Sequence, residues 1–301
     1  MATAPISTPW RRFVLTLEMI KFEHSVFALP FALTGALLAW RQLGYPLERL
    51  GPRLLCIVVA MVAARSAAMT FNRLADADID ARNPRTRARH IPAGLLGRRF
   101  AWLFLLASCA VFVLAAALLG SLCLRLSPVA LAVVLGYSWT KRFTSMSHVV
   151  LGFALGIAPS AAWIAISGSL DPRIIWLTAA VTLWTAGFDI IYSCQDYDFD
   201  RREGLWSLPA RLGIGAALWV ARLFHLSMVI SLAALAYSLH LGAAAWLGIA
   251  VVAALIVWEH RLVHAGDLSR IDAAFFTMNG YISVLFFVFW SVDVLLHWRG
   301  L

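Results

Sequence analysis

The sequence predicts an all-α, polytopic membrane protein, and three observations predict it: an apolar composition, a regular train of helix-length apolar runs, and positive charge gathered on one side of those runs. Of 301 residues, 61% are hydrophobic and only 14% charged, and mean hydropathy is +0.80. A soluble domain is about 45–50% apolar and about 25% charged. A chain this long has ample core without such an excess, so the surplus is read as lipid-facing surface. The opening MATAPISTPWRRF is polar and the first apolar run outlasts a signal-peptide core, so no cleavable signal is expected.

Runs of about 20 apolar residues between polar breaks fall at 15–40, 53–75, 100–120, 122–140, 146–167, 174–195, 213–239, 241–261 and 272–297, which makes nine helices. The first is interrupted by Glu23 and His24, with Lys21 beside them. The second carries Arg65 within its apolar stretch and runs into a string of carboxylates. The fourth ends in Tyr137-Ser-Trp-Thr-Lys141-Arg142, and the sixth ends in a second acidic string. No linker rich in Pro, Ser or Gly divides the chain, so residues 1–301 are expected to form a single integral membrane domain. Cys56, Cys109, Cys123 and Cys194 are scattered through apolar sequence without ligand spacing and read as small buried hydrophobes.

Positive charge sets the orientation. With the N-terminus in the cytoplasm, Arg11, Arg12, Lys21, Arg73, Arg82, Arg85, Arg87, Arg89, Arg98, Arg99, Lys141, Arg142, Arg201, Arg202, Arg211, Arg261 and Arg270 lie on the cytoplasmic side. Only Arg41, Arg49, Arg53, Arg125, Arg173 and Arg299 lie on the other. The bias predicts a multi-pass protein of the inner, cytoplasmic membrane with its N-terminus inside. The net charge of +9 is then a topology signal, and no soluble basic domain exists to bind nucleic acid.

Acidic residues are scarce, 16 in all, yet Asp76, Asp78, Asp80, Asp189, Asp196, Asp198 and Asp200 crowd into two segments on that cytoplasmic side. Asn72, Asp76 and Asp80 recur every four residues and share one face of a continuing helix. Asp189, Asp196 and Asp200 follow at i, i+7 and i+11. Stacked oxygen ligands need a cation between them, and Mg²⁺ suits a few carboxylates completed by water and phosphate oxygens. A solvated loop is the plain alternative. It explains neither the helical spacing nor the placing of scarce charge at two membrane helix ends, where ionisable groups are usually functional.

Basic residues complete the pattern. Arg85-Thr-Arg87-Ala-Arg89-His90-Ile-Pro92-Ala-Gly94 follows the first cluster, and Lys141 and Arg142 share its face. Metal-bridged carboxylates with Arg and Lys on the remaining oxygens are a recurring solution for a diphosphate leaving group. Arg89 and Lys141 are the candidate phosphate contacts, whereas Arg98, Arg99, Arg261 and Arg270 read as anchors. Arg65 lies two turns deeper than Asn72, either paired with an acid such as Glu23 or holding a polar group of a second substrate. A cation transporter would spread its acids through the spans; a scaffold gives no reason for repeated Asp; a CDP-alcohol phosphotransferase needs its acids in one compact run.

As a set and in this order, Asn72-xxx-Asp76-xxx-Asp80, the Arg-Thr…Arg…Ile-Pro-Ala-Gly segment, Tyr137…Lys141-Arg142-Phe-Thr, and Asp189…Gln195-Asp196…Asp200 followed by Gly204…Ser207…Ala210-Arg211…Gly213 resemble the UbiA family of intramembrane aromatic prenyltransferases over nearly the whole chain. Lys21-Phe-Glu23-His24-Ser25 and Ser145-Met-Ser-His148 resemble its 4-hydroxybenzoate polyprenyltransferase-like branch. Two departures are Arg73, where many members carry Asp, and His90, where proline is common in the branch that prenylates 4-hydroxybenzoate. The resemblance implies a nine-helix bundle with cytoplasmic active-site loops. It implies Mg²⁺ held by Asn72, Asp76, Asp80, Asp196 and Asp200, with Asp76, Asp80, Asp189, Asp196 and Asp200 catalytic. Arg65, Asn72, Arg89, Tyr137, Lys141, Arg142, Tyr192 and Gln195 would bind a polyprenyl diphosphate drawn from the lipid and an aromatic acid acceptor. That acceptor is expected to be 4-hydroxybenzoate in respiratory quinone synthesis, or alternatively a hydroxynaphthoate on the way to menaquinone. Asp189 or Asp196 is the candidate base, and Phe22, Phe71, Tyr137, Phe188 and Tyr192 are candidate shields for an allylic cation.

Overall fold

Helices supply every regular element of residues 9–21, 25–44 and 46–296, which the computed structural model describes, apart from an isolated bridge between His264 and Asp267. In chain order these are α1 (Pro9–Met19), α2 (Ser25–Leu43), α3 (Leu47–Ala75), α4 (Ala77–Arg82), α5 (Arg98–Leu119), α6 (Ser121–Thr140), α7 (Ser147–Ser167), α8 (Ile175–Ser193), α9 (Tyr197–Glu203), α10 (Leu208–Leu212), α11 (Ile214–Ser238), α12 (Ala243–Leu262) and α13 (Asn279–Leu296). In a bilayer every backbone polar group must be satisfied inside the segment, which leaves the helix as the natural solution for an apolar chain of this kind.

Eight of the described helices are long and apolar enough to cross a membrane. The expectation of nine differs at the first run. Residues 15–40 do not form one helix: α1 stops at Met19, Lys21 takes a left-handed φ of 52°, and α2 starts afresh at Ser25. Glu23 and His24, which interrupt that run in the sequence, lie outside the described residues, as does Phe22. α2 has 19 residues and ends in Trp40-Arg41-Gln42, which lowers its apolar character, but Phe31, Ala32, Ala36, Leu38 and Ala39 are fully buried in the core. The other boundaries fall close to the expected ones, and Gly120, at φ 139°, separates α5 from α6.

The core is built around α7 and α8. A Cβ on Gly35 would stand 2.4 Å from the Pro159 carbonyl oxygen, and one on Gly152 would stand 2.2 Å from that of Thr182. Glycine at these two positions lets α2 and α8 approach α7 backbone to backbone, the small-residue packing that replaces hydrophobic drive between helices in lipid. Outward, Leu103, Leu106, Leu114 and Leu118 on α5 and Trp219, Leu223, Leu226 and Ile230 on α11 are exposed. A solvated surface does not carry such stripes, whereas lipid accepts them. Together these features define an integral, multi-pass membrane protein.

The two ends differ. At the end distal to the acidic clusters, Arg53 donates to the carbonyls of Leu119 (2.9 Å) and Ala165, capping the closing turns of α5 and α7. Buried Asp293 accepts from the Gly242 and Ala245 N–H groups at the start of α12 and lies 3.5 Å from Arg41. These contacts use charge to close helix ends. The opposite end carries the two acidic segments.

Candidate diphosphate and metal site

α3 carries Arg65, Asn72 and Arg73 toward this end and breaks at Asp76, after which α4 carries Asp78 and Asp80. The break is shallow, because the Asp76 N–H still bonds the Asn72 carbonyl (2.9 Å) and the Asp80 N–H that of Asp76 (2.7 Å). Asn72 and Asp76 share a face as expected, with Asn72 Nδ2 donating to Asp76 Oδ2 at 3.0 Å. Asp80 is buried and turns instead to Arg89, whose Nη1 reaches both its oxygens at 2.7 and 2.8 Å. Exposed Asp78 pairs with Arg98 at 2.5 Å.

The second segment repeats this build. α8 ends at Ser193, a single 3₁₀ turn covers Cys194–Asp196, and α9 carries Asp198 and Asp200. Asp196 receives a two-pronged contact from Arg85, Nε to Oδ1 at 2.9 Å and Nη2 to Oδ2 at 2.5 Å, and Asn83 Nδ2 donates to Oδ1 at 3.1 Å. Asn83 and Arg85 belong to the loop that follows Asp80. The two clusters, far apart in sequence, are therefore tied directly to each other. Asp200 is 0% exposed, with Lys141 Nζ 2.8 Å from its Oδ1 and no hydrogen-bond partner on Oδ2. Gln195 Nε2 is likewise buried without a partner.

The turn after α6 joins both sides. Arg142 Nη2 donates to the Ala75 carbonyl (2.5 Å) and to Asp76 Oδ1 (3.1 Å), while the Lys141 carbonyl accepts from the Trp206 N–H (2.8 Å). Each of the four inner carboxylates thus faces one cation: Arg142 on Asp76, Arg89 on Asp80, Arg85 on Asp196, Lys141 on Asp200. Burial lifts the Asp76 carboxyl above its usual range against the pull of Arg142. Desolvation works against the Arg85 charge, yet Asp196 outweighs it and holds the guanidinium above its ordinary value.

Below the carboxylates lies a wall of aromatic rings. The Tyr192 hydroxyl accepts from Arg85 Nη1 at 3.3 Å, and its ring lies 4.2 Å from that of Phe275. Phe275 sits 5.3 Å from Phe188 and 6.0 Å from Phe27. Phe275 belongs to a π-helical turn, Ala273–Met278, a form that often marks functional sites. Asp189, one turn before Tyr192, accepts from His148 at 2.6 Å. Tyr137 stands within electrostatic reach of Arg73, Arg65 and Asp76. Arg65 Nη2 donates to the Lys21 carbonyl at 3.3 Å, at the end of α1; its expected partner Glu23 is outside the described residues. Phe71 is the exception among the expected shields: it packs on Trp139 (5.0 Å) and Trp102 (6.3 Å), between α3, α5 and α6.

Among the described residues no three His, Cys, Asp or Glu side chains converge as a ready-made metal cage. The donors nevertheless fit Mg²⁺, which takes one or two carboxylates and completes its shell with water and phosphate. Asp76 with Asn72, and Asp200 with its unpartnered buried Oδ2, are donors of that kind. Two contributors escape sequence reasoning. Asn83 and Arg85 are indistinguishable in the sequence from the surrounding polar residues, although Arg85 stands in the quoted basic run. His148 and Asp189 sit in separate spans that nothing in the sequence pairs.

The profile of the UbiA prenyltransferase family matches residues 28–290. The chain is 31% identical to the 4-hydroxybenzoate octaprenyltransferase of Sodalis glossinidius over 77% of its own length and 79% of that protein's. It is 28% identical to the 4-hydroxybenzoate octaprenyltransferase of Yersinia pseudotuberculosis over 96% and 98% of the two chains. Among solved structures, the apo UbiA homolog of Aeropyrum pernix K1 superposes with a TM-score of 0.80 at 36% identity, covering 90% of this chain and 98% of that one. The Archaeoglobus fulgidus homolog bound to GPP and Mg²⁺ shares the fold, with a TM-score of 0.69 at 21% identity, over 93% of this chain and 99% of that one.

Proposed function

This chain belongs to the UbiA prenyltransferase family, and from that premise we propose that it transfers a polyprenyl group from a polyprenyl diphosphate to a ring carbon of 4-hydroxybenzoate, in respiratory quinone synthesis. The carrying observation is the convergence of Asp76, Asp80, Asp196 and Asp200 at one end of the bundle, each against its own Arg or Lys. The relatives named above act as 4-hydroxybenzoate octaprenyltransferases, which supports the acceptor class. Positive-side bias supports an inner-membrane protein with a cytoplasmic N-terminus and this site facing the cytoplasm.

Asn72, Asp76 and Asp80 on one side, and Asp196 and Asp200 on the other, would hold Mg²⁺, which when bound neutralises charge on a departing diphosphate. Arg85, Arg89, Lys141 and Arg142 supply donors for the diphosphate oxygens, with Gln195 contributing its unpartnered amide. The C1–O bond breaks with its electron pair on the diphosphate. A ring carbon of the phenol supplies the pair for the new C–C bond, and the ring proton leaves to a base, for which Asp189 is placed one turn below Tyr192. Phe188 and Tyr192 line a water-poor chamber where the allylic cation meets aromatic faces. Arg65 and Tyr137, deeper along α3 and at the end of α6, are assigned to the acceptor.

The deciding experiment incubates purified protein with Mg²⁺, a long-chain polyprenyl diphosphate, and 4-hydroxybenzoate or a hydroxynaphthoate, with products read by mass spectrometry. A prenylated 4-hydroxybenzoate is expected; product from the hydroxynaphthoate alone would move the protein to menaquinone synthesis.

A further inference from the structure

The structure assigns to His148 a role in this reaction: we infer that it is the positioning residue that holds Asp189 as a carboxylate with one oxygen turned to the acceptor. The inference rests on reading Asp189 as the base. His148 stands in the first turn of α7 and is 2% exposed. Its Nδ1 is 2.6 Å from Asp189 Oδ2, and its Nε2 lies 3.2 Å from the backbone nitrogen of Leu208, at the start of α10.

The second contact decides the first. The Leu208 N–H can only donate, so Nε2 must be the acceptor and carries no proton. A neutral imidazole has one N–H, which is then on Nδ1 and points at Asp189. The carboxylate is thereby fixed as the accepting partner. Taking a second proton at Nε2 would set N–H against N–H, so His148 is a poor sink for the ring proton. That proton stays with Asp189.

The other half of the geometry is what Asp189 keeps free. Its side chain is 25% exposed, and Oδ1 has no hydrogen-bond partner among the described residues. Oδ2 is tied back to α7 while Oδ1 is left to accept. When the arenium ring loses its proton, the C–H pair returns to the ring and the proton goes to Oδ1, then to water as products leave. The backbone that supplies the Leu208 N–H is itself fixed, because Ser207 caps α10 by accepting from the Ala210 N–H and the preceding Trp206 N–H is bonded to the Lys141 carbonyl. The same loop therefore sets His148 and the lysine facing Asp200.

The test separates donor from acceptor on the imidazole. His148→Asn keeps an N–H near the Nδ1 position and loses the Nε2 acceptor; His148→Gln reaches toward Leu208 and withdraws the donor from Asp189. We expect kcat to fall roughly ten- to hundred-fold in His148→Gln, and to stay within about three-fold of wild type in His148→Asn, the scale typical of a lost outer hydrogen bond. KM for the polyprenyl diphosphate should be unchanged in both. Wild-type kcat in His148→Gln, equal damage in the two variants, or a raised diphosphate KM would each overturn the inference. Asp189→Asn is measured alongside. If it turns over normally, the base reading fails; if it is inactive while His148→Gln is normal, only the role of His148 fails.

Discussion

Asp76 and Asp196 each sit at the break between a membrane helix and a short helix, with φ −96°, ψ 5° in the first and φ −97°, ψ 7° in the second. After each comes the same alternation: an exposed middle aspartate, Asp78 or Asp198, and a buried last one, Asp80 or Asp200. Backbone and exposure pattern are shared, but the side-chain ties are not. Asp196 is held from across the site by Asn83 and a forked Arg85, and Asp200 is sealed. Asp76 meets Asn72 from its own helix and Arg142, whose side chain is 40% exposed. The second cluster is built in advance, with the first cluster's loop as its brace. The first is the more open one, where an arriving ligand has less to displace.

The largest effect expected from this arrangement is common to both clusters. Asp76→Ala and Asp196→Ala should each abolish prenyl transfer, a loss of at least about 10³-fold if each stabilises the leaving diphosphate, while the protein remains extractable and monodisperse in detergent. EDTA should stop the wild-type reaction and Mg²⁺ restore it. Normal turnover by either variant, or activity that ignores the chelator, would remove the metal assignment.

The difference between the clusters appears one level down. A forked guanidinium on a carboxylate is not replaced by an ammonium. Arg85→Lys should therefore lower kcat/KM for the diphosphate roughly ten- to hundred-fold, about 1.4–2.7 kcal/mol by the usual conversion. Arg142→Lys, a single exposed contact, should cost under about ten-fold. The reverse order would show that the first cluster is the braced one. Stability gives an independent reading. Lys141→Met strands the fully buried Asp200 and should destabilise by up to about 3 kcal/mol, discounted because the Lys141 side chain is 35% exposed. Arg142→Met should change stability by less than about 1 kcal/mol. Thermal unfolding in detergent, without ligand, compares them.

Much of this was legible in the sequence, for identifiable reasons. Lipid forces helices of fixed length, so polar breaks mark their ends, and the observed ends of α5, α6 and α7 follow from counting apolar residues. The spacing of Asn72 and Asp76 gave their contact directly. The start of the first run was not legible, because an apolar stretch does not reveal a left-handed residue such as Lys21. Nor was the choice among Arg82, Arg85, Arg87 and Arg89: the loop's path sends Arg85 to Asp196 and Arg89 to Asp80, while Arg82 meets Glu203. A second polar centre also escaped notice. Buried His225 contacts His260 (2.9 Å) and the Trp184 carbonyl (3.2 Å), and Asn279 Nδ2 reaches Glu259 (3.4 Å) and the Phe275 carbonyl (3.0 Å), pinning the π-helical turn from behind. These residues are spread over α8, α11, α12 and α13, and no sequence spacing links them.

The smallest effect expected is at Arg65, and it bears on what the open cluster is open to. Arg65 lies two turns below Asn72 and donates to the Lys21 carbonyl, where α1 gives way to the start of α2. A guanidinium at that depth needs polar partners, and a backbone carbonyl satisfies only part of its five donors. The carboxylate of an aromatic acid is a natural further partner, reached from the side of the site where Asp76 leaves more room than Asp196. Arg65→Ala should raise KM for 4-hydroxybenzoate by about ten-fold, the worth of one charge-assisted hydrogen bond, with kcat and the diphosphate KM little changed. Arg65→Lys should recover part of the loss. A selective rise in the diphosphate KM would instead place Arg65 with Arg142 among the cations of the first cluster, and would make that cluster as fully braced as the second.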